Sequence, residues 1–367
     1  MDANAWMTEA MREASKAGWG AHPNPMVGAV IVKDGKELGR GYHHAAGQPH
    51  AEIEALRHAA ANGYDVSGAD IYVTLEPCNH YGRTPPCTEA LIRAKIARCF
   101  IGTLDSDARV RGAGVERLRQ AGITCEVGIC QKALTQLNAA FFTRTRLKRP
   151  YITAKWAMTA DGFTATHTGS SQWITGIEAR TDVHRERARY DAIIAGTQTV
   201  LLDNPTLNVR HVPCSRQPVR ILLDRCGRIP TTHHIFDTTE QKTILFTSKN
   251  ADLSRYDGLS IEIETVDDAN GMLDLRAVME CLAVRYLITT LYCEGGATLH
   301  GALNDLDMID AVDIYIAPKL IGGNGARACI GGNGVSLMSK AREFVFDAPV
   351  RLGNDIKLSG RFELRNE

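Results

Sequence analysis

The chain has 367 residues, 44% hydrophobic and 23% charged, with a formal net charge of +0. This length predicts two domains of ordinary globular size, and the balanced charge gives no sign of a nucleic-acid or membrane partner. Since there is no apolar run of about 18 residues and no signal-peptide pattern at the first residues, we expect a cytoplasmic protein. Its ten cysteines are too sparse for a disulfide framework.

Strands and helices alternate along the first half, which predicts an α/β layered domain. An amphipathic helix is expected at residues 4–17, where Trp6, Ala10 and Ala14 recur at helical spacing. The remaining elements expected in this half are strands at Val27–Lys33, Glu37–Tyr42, Ile71–Leu75, Ala97–Thr103 and Thr124–Gly128, and helices at Ala51–Ala61, Thr88–Ala94 and Gly114–Ala121.

A domain boundary is predicted within Thr143–Pro150, because proline disfavours a continuing helix before it. The domains would then span residues 1–147 and 148–367. The basic residues of this segment could form a nucleic-acid patch, but a solvated helix end running into a linker is favoured. The elements expected beyond it are strands at Tyr151–Ala157, Ala192–Ala195, Arg220–Asp224, Thr243–Thr247, Leu287–Cys293 and Ala311–Ile316, and helices at Leu273–Leu282 and Thr298–Asn304.

The strongest chemical signal is His50-Ala51-Glu52, followed by Pro77-Cys78 and then Cys87. One imidazole and two thiolates suit a tetrahedral zinc ion whose fourth position holds water. Zinc lowers the pKa of such a water from about 16 to about 7. Glu52, at the start of a predicted helix, would move protons without binding metal, as in zinc nucleobase deaminases.

Eight residues separate Cys78 from Cys87, where the usual deaminase pattern has two. The alternative to a catalytic site is a structural zinc site, which would normally fill all four positions with protein ligands. His80 could supply the fourth.

Three segments, His22–Gly28, His50–Glu52 and Cys78–Cys87, closely resemble the bifunctional riboflavin-biosynthesis deaminase/reductases, and the resemblance runs through the whole chain. It implies a cytidine-deaminase-like three-layer domain followed by a dihydrofolate-reductase-like domain, Zn²⁺ and NADPH as cofactors, and a homo-oligomer, either a dimer or a tetramer. The implied reactions are deamination of a phosphoribosylaminopyrimidine and then reduction of its ribosyl group to ribityl.

In the first domain the resemblance implies that His50, Cys78 and Cys87 bind zinc and that Glu52 is the proton shuttle. From the residues alone, Asn24 could equally be a turn residue between two prolines, and His43 a surface loop histidine. The residues that the resemblance places against the pyrimidine and its ribose phosphate are Asn24, His43, His80 and Arg83.

In the second half, Glu294-Gly295-Gly296 follows an apolar strand and opens a predicted helix, an arrangement that suits a phosphate but is also common in packing. The dinucleotide fingerprint G-x-G-x-x-G is absent. The run Gly196–Arg210 indicates a polar loop, in which Asp203 and Arg210 either serve a ligand or form an Asx turn and a solvated cation.

The resemblance extends to Ser171–Thr175 and to both of these segments. Arg225 stands where the family often has serine or threonine, and its guanidinium could pair with a 2′-phosphate or be merely exposed. The implied NADPH contacts are Ala157, Trp173, Thr199, Asp203, Gly296, Ala297, Thr298, Leu299, His300, Gly301 and Ala302. The implied substrate contacts are Ser171, Arg187, Leu207, Arg210 and Glu294.

Two other functions fit parts of the pattern. A nucleic-acid or nucleoside zinc deaminase with an accessory domain shares His-x-Glu and Pro-Cys, but the balanced charge argues against nucleic acid. A zinc-stabilised interaction module would leave an open ligand position without a purpose.

Overall fold

The computed structural model describes residues 2–81, 85–106, 111–269 and 271–363. The chain divides into two compact units, Met1–Lys148 and Arg149–Glu367. In the described ranges, no helix combines the length and apolar character needed to cross a bilayer.

The N-terminal unit alternates helices with strands. Its helices are α1 (Ala3–Ser15), α2 (Ala51–Ala61), α3 (Cys87–Arg93), α4 (Ala113–Gln120), α5 (Gln131–Leu137) and α6 (Ala139–Leu147). Its strands are β1 (Gly28–Lys33), β2 (Lys36–Tyr42), β3 (Asp70–Leu75), β4 (Arg98–Thr103) and β5 (Thr124–Val127). They form one sheet in the order β2-β1-β3-β4-β5, in which β1 is antiparallel to β2 and β3 whereas β3, β4 and β5 are parallel.

Successive residues of a strand point to opposite faces of its sheet. Apolar side chains lie on both faces of this sheet, and helices cover both. On one face, Ile31 and the other buried residues of that face pack against α2, α3 and α4. On the opposite face, Val30 and the other buried residues of that face pack against α1 and α5. The sheet therefore lies between two layers of helices, which gives this unit three layers.

Helix α2 lies unusually close to β2, and glycine makes that possible. A Cβ at Gly39 would lie 2.3 Å from the carbonyl oxygen of Ala55, and one at Gly41 would lie 2.5 Å from the Ala55 nitrogen. No side chain fits at either distance, so the backbone of β2 directly supports the helix that begins after His50.

The C-terminal unit also alternates strands and helices. Its helices are α7 (Ile177–Arg187), α8 (Thr197–Asp203), α9 (Leu275–Val284) and α10 (Ala297–Asp305). Its strands begin with β6 (Tyr151–Thr159), β7 (Phe163–Ala165), β8 (Ala192–Gly196), β9 (Val219–Leu223), β10 (Thr243–Ser248) and β11 (Glu262–Val266). They continue with β12 (Asp268–Ala269), β13 (Met272–Leu273), β14 (Thr290–Cys293), β15 (Ala311–Ala317), β16 (Arg327–Ala328), β17 (Val345–Phe346), β18 (Val350–Leu352) and β19 (Asp355–Arg361).

The large sheet has the order β11-β10-β9-β8-β14-β6-β15-β19-β17. In this order, the seven strands from β11 through β15 are parallel to their neighbours, and β19 is antiparallel to β15. One face packs against α9 and α10 around Ile152 and Leu303, and the other around Tyr292 and Tyr315. Ligands of such sheets bind at the carboxyl ends of the parallel strands.

Three expectations from the sequence were wrong in detail. The run after Gly196 is not a continuous polar loop, because Thr197–Asp203 forms α8. The helix expected from Leu273 begins at Leu275, because the Asp274 side chain accepts hydrogen bonds from the Arg276 and Ala277 nitrogens and caps it. Arg149 is not part of a solvated linker, since its side chain is only 12% exposed and binds Asp310 through both terminal nitrogens.

Candidate functional sites

Three potential metal ligands converge in the N-terminal unit. His50 immediately precedes α2, Cys78 follows the end of β3, and Cys87 is the first residue of α3. The His50 Nδ1 atom lies 3.5 Å from the Cys78 sulfur and 3.3 Å from the Cys87 sulfur. Ordinary zinc bond lengths at a tetrahedral angle give donor separations of roughly 3.6 Å, so this donor set fits zinc.

The alternative of a fully protein-ligated structural site is not supported. All three donor atoms lie within 4.8 Å of one another, and among the described residues no fourth histidine, cysteine or carboxylate joins them. His80, considered as a fourth ligand, is exposed and outside the group. Arg83, expected to contact the substrate, lies outside the described residues.

The Glu52 carboxyl group is placed to handle protons. It lies in the first turn of α2 and is only 3% exposed. Burial, together with the negative charge of Cys78, raises its pKa to about 7. Hydrogen bonds from Cys87 and His50 lower the pKa of the Cys78 thiol, which favours the thiolate that a metal requires.

His43 and Asn24 form a hydrogen-bonded pair beside this cluster. The His43 ring is 3% exposed, so it is not a surface loop histidine, and it lies edge-on to His50 with ring centroids 5.3 Å apart. Its Nδ1 lies 3.1 Å from the Pro49 carbonyl oxygen, which can only accept, so we assign the hydrogen to Nδ1. Nε2 then accepts from Asn24 Nδ2 at 3.0 Å, which leaves the Asn24 carbonyl oxygen unused in this pair.

A buried carboxylate that the sequence did not indicate holds the loop leading to Cys78. Glu76 accepts backbone N–H groups from Asp105 at 3.1 Å, Gly112 at 2.9 Å and Gly114 at 2.9 Å. A Cβ at Gly114 would lie 2.1 Å from the Pro77 carbonyl oxygen, so the start of α4 is in direct contact with the ligand loop. A glutamate at the end of an apolar strand, just before Pro-Cys, is the sequence signal that could have revealed it.

The C-terminal unit has a cavity of about 960 Å³ at the carboxyl ends of its parallel strands. This volume is at the upper end of the range typical of small-molecule and cofactor sites. Residues expected from the sequence that line it are Ala157, Ser171, Thr199, Asp203, Glu294, Gly296, Ala297, Thr298, Leu299, His300 and Ala302.

The N-terminus of α10 faces this cavity. Gly296 precedes the helix without a side-chain cap, which leaves backbone N–H groups for an anion. A Cβ at Gly295 would lie 2.7 Å from the Leu299 side chain, and one at Gly296 would lie 3.7 Å from the Thr199 hydroxyl. The Gly-Gly pair therefore allows the turn to pack tightly and the backbone to approach a phosphate.

Five residues expected in this site lie elsewhere. Gly301 packs on the backbone of residues 331–332, and a Cβ added at Gly301 would lie 2.3 Å from the carbonyl carbon of Gly331. The Leu207 side chain is 2% exposed and belongs to the core. Trp173 is 60% exposed, with the Arg180 guanidinium 4.6 Å from its ring centroid. Arg187 and Arg210 do not line the cavity. Arg187 binds the backbone oxygen of Asn208, and Arg210 binds the side-chain oxygen of the same residue.

Glu294 links Arg187 to the cavity and to Lys155, a residue not indicated by the sequence. Arg187 binds the Glu294 carboxylate at 2.5 and 3.0 Å, and Lys155 Nζ lies 3.4 Å from it. Burial alone would raise the pKa of Glu294, but the two cations lower it to about 2. Lys155 lines the cavity, and its signal was a lysine inside the apolar strand Tyr151–Ala157.

Comparison with protein families matches both units. Residues 1–103 match the cytidine and deoxycytidylate deaminase zinc-binding region, and residues 150–357 match the RibD C-terminal domain. The second match covers more than half of the chain.

Relatives match 86% or more of the chain. Riboflavin biosynthesis protein RibD of Aquifex aeolicus is 44% identical over 86% of this chain and 87% of its own length, and that of Escherichia coli is 39% identical over 96% and 97%. A solved structure of Acinetobacter baumannii RibD is 37% identical, with a TM-score of 0.85 over 99% of both chains. The Thermotoga maritima structure, a diaminohydroxyphosphoribosylaminopyrimidine deaminase/5-amino-6-(5-phosphoribosylamino)uracil reductase, is 33% identical, with a TM-score of 0.83 over 98% of both chains. The chain belongs to the RibD family, the bifunctional deaminase/reductases of riboflavin biosynthesis.

Proposed function

We propose that the N-terminal unit hydrolytically deaminates 2,5-diamino-6-(5-phosphoribosylamino)pyrimidin-4-one and that the C-terminal unit then reduces the ribosyl group to ribityl with NADPH. The observation that carries the first step is the convergence of His50, Cys78 and Cys87 within 4.8 Å, with Glu52 two residues after the histidine. The observation that carries the second is the cavity formed around the α10 N-terminus, Glu294 and Lys155.

In the first step, His50 Nδ1 and the sulfurs of Cys78 and Cys87 would hold zinc. When bound, zinc acts as a Lewis acid that makes water a nucleophile at neutral pH. Glu52 takes a proton from the attacking water and delivers it to the departing amino group, so that water adds at the amino-bearing carbon and ammonia leaves. A pKa near 7 lets this carboxyl group accept and release protons at neutral pH.

The pyrimidine would be positioned by Asn24 and His43. Because His43 binds one N–H of the Asn24 amide, the amide orientation is fixed, and its carbonyl oxygen and second N–H can pair with a base edge. His80, which is exposed beside Cys78, and Arg83 are proposed to hold the ribose phosphate.

In the second step, C1′ of the sugar would accept the hydride that NADPH would supply when bound. Lys155 gives a proton to the ring oxygen as the C1′–O bond breaks, which opens the ring to ribityl. Glu294, ionised and paired with Arg187, fixes the position of the Lys155 side chain. The backbone N–H groups at the start of α10 would hold a cofactor phosphate, and Ser171, which lines the cavity, would orient the substrate.

Removal of the metal should separate the two activities. Treatment with a chelator is expected to abolish ammonia release from the diaminopyrimidine, while NADPH oxidation on supplied deaminated substrate persists, because the proposed metal ligands lie only in the N-terminal unit. Elemental analysis should find about one zinc per chain for a single three-ligand site, and added zinc should restore deamination. Full deaminase activity in metal-free protein would contradict the proposal.

We also propose a homo-oligomer that uses the segment after β15. Met338 is 86% exposed, Val345 67% and Phe346 52%, and contact with a second copy of the chain would remove these apolar side chains from water. The double variant Val345→Asp/Phe346→Asp should lower the molar mass measured by light scattering to that of one chain. Val284→Asp, which alters a 56% exposed apolar residue on α9, should not. Unchanged mass in the double variant would place the interface elsewhere.

A further inference from the structure

Strand β19 holds helix α7 at two points. Asp355 and Lys357 are two residues apart on β19, so their side chains point to the same face of the sheet, where α7 packs. The buried Asp355 carboxylate accepts the N–H of Gly176, the residue that precedes α7, at 2.7 Å. Lys357 Nζ donates to Asp182 Oδ2 at 3.0 Å and to Glu186 Oε1 at 2.7 Å. The helix is therefore fixed to the strand at its beginning and over its C-terminal half.

The ion pairs of Lys357 are shielded from water. Lys357 is buried, and Asp182 and Glu186 are only partly accessible. The Tyr315 hydroxyl donates to the same Asp182 oxygen at 2.9 Å. Burial alone would lower the pKa of Lys357, but the charges of Asp313 and Glu186 raise it, so the side chain stays an ammonium. Because removal of one member would leave charge without its partner in a poorly solvated place, these contacts resist displacement of the helix.

The restraint reaches the cavity through the end of α7. The helix ends at Arg187, the residue after Glu186, and the Arg187 guanidinium binds both oxygens of Glu294. Glu294 lines the cavity beside Lys155. Lys357 is not among the described residues that line the cavity, so it can affect a reaction there only through other residues.

We infer that Lys357 is a positioning residue of the reductase site. Its ammonium group fixes α7 on the sheet, and α7 in turn fixes the Arg187 guanidinium against Glu294. Glu294 then fixes Lys155, the proposed proton donor, so the inference rests on the reduction proposed for this cavity. Proton transfer requires hydrogen-bond distance between donor and acceptor, and a displacement of about 1 Å can cost about a hundredfold in rate.

The substitution Lys357→Met in the full chain tests the inference. With NADPH and deaminated substrate, the maximal rate of NADPH oxidation should fall by about tenfold, because the proton donor is no longer held in place. The KM values for NADPH and for the substrate should change by less than about twofold, since no side chain that lines the cavity is altered. Lys357→Arg, which keeps a cation between the two carboxylates, should restore the rate to within about threefold. An unaltered rate in Lys357→Met, or a loss confined to KM, would overturn the inference.

A double variant tests whether Lys357 acts through Arg187. Arg187→Gln breaks the connection between α7 and Glu294, so adding Lys357→Met should slow the reaction by no more than about another twofold, because both substitutions interrupt the same path. A further loss of about tenfold would show independent effects and would also overturn the inference.

Arg185→Gln is the matched control. Arg185 lies on the same helix with its guanidinium 3.8 Å from Asp182, but its side chain is 59% exposed against 8% for that of Lys357. It faces solvent and does not join α7 to the sheet, so its substitution should leave the maximal rate unchanged.

Thermal unfolding shows whether each variant keeps its fold. If Lys357→Met does not fold, Tyr315→Phe takes its place, because it removes one hydrogen bond from Asp182 without leaving a charge unpaired. It should lower the maximal rate by about threefold with unchanged KM values, and an unaltered rate would overturn the inference. Absence of NADPH oxidation by the unaltered chain on deaminated substrate would instead overturn the proposed reduction.

Discussion

Replacing Glu52 with glutamine is expected to lower the rate of ammonia release by about a thousandfold, within the range for loss of a general acid–base group. The amide is nearly isosteric but cannot accept the proton from water and pass it to the amino group. The reductase should be unaffected, because Glu52 lies wholly in the N-terminal unit. Ammonia release from the diaminopyrimidine and NADPH oxidation on supplied deaminated substrate measure the two steps separately.

Glu54→Gln provides the control for this substitution. Glu54 lies on the same helix and in the same first turn, but its carboxylate pairs with Arg57 at the surface. We expect it to leave both rates near those of the unaltered chain. If Glu52→Gln abolished both activities while the fold remained intact, the assignment of one step to each unit would be wrong.

Replacing Lys155 with methionine is expected to lower NADPH oxidation by about a hundredfold or more, because the opening sugar would lose its proton donor. Methionine preserves much of the side-chain length and packing. Glu294 keeps its two contacts with Arg187, so no carboxylate is left buried without a partner. The reduction rate at saturating NADPH and substrate is the quantity to measure.

A second readout distinguishes proton donation from cofactor binding. If Lys155 acts mainly as proton donor, NADPH affinity should change little while the maximal rate falls. A parallel loss of affinity and rate would instead show that Lys155 holds the cofactor. Lys249→Met, which removes an exposed lysine paired with Asp267 in the same unit, should alter neither.

Much of the N-terminal site follows from local sequence. Helix α2 spans Ala51–Ala61 as expected, because its composition favours a helix and Asn62-Gly63 ends it. The motifs His-x-Glu, Pro-Cys and Cys supply one imidazole and two thiols in the order expected of a zinc deaminase. They therefore indicate a metal site before any contact is known. Glu76 is different, because its partners lie at residues 105–115 and only the folded chain brings them together.

The C-terminal site is harder to predict from sequence because polar contacts, not apolar periodicity, define it. Helix α7 has the sequence IEARTDVHRER, whose buried residues Ala179, Val183 and His184 form too weak an apolar stripe to signal a helix. Arg187 at its end meets Glu294 across 107 residues, and Lys155 meets the same carboxylate across 139. Such a triad has no local pattern.

The direct contact between β2 and α2 has a consequence for how the N-terminal site meets its ion. With Gly39 and Gly41 leaving no gap, the helix carrying His50 and Glu52 cannot settle closer to the sheet when a ligand arrives. The scaffold therefore positions the His50 imidazole before the ion binds, which reduces the ordering entropy lost on loading. Two positions without side chains on a neighbouring strand thus contribute to the metal affinity of this unit.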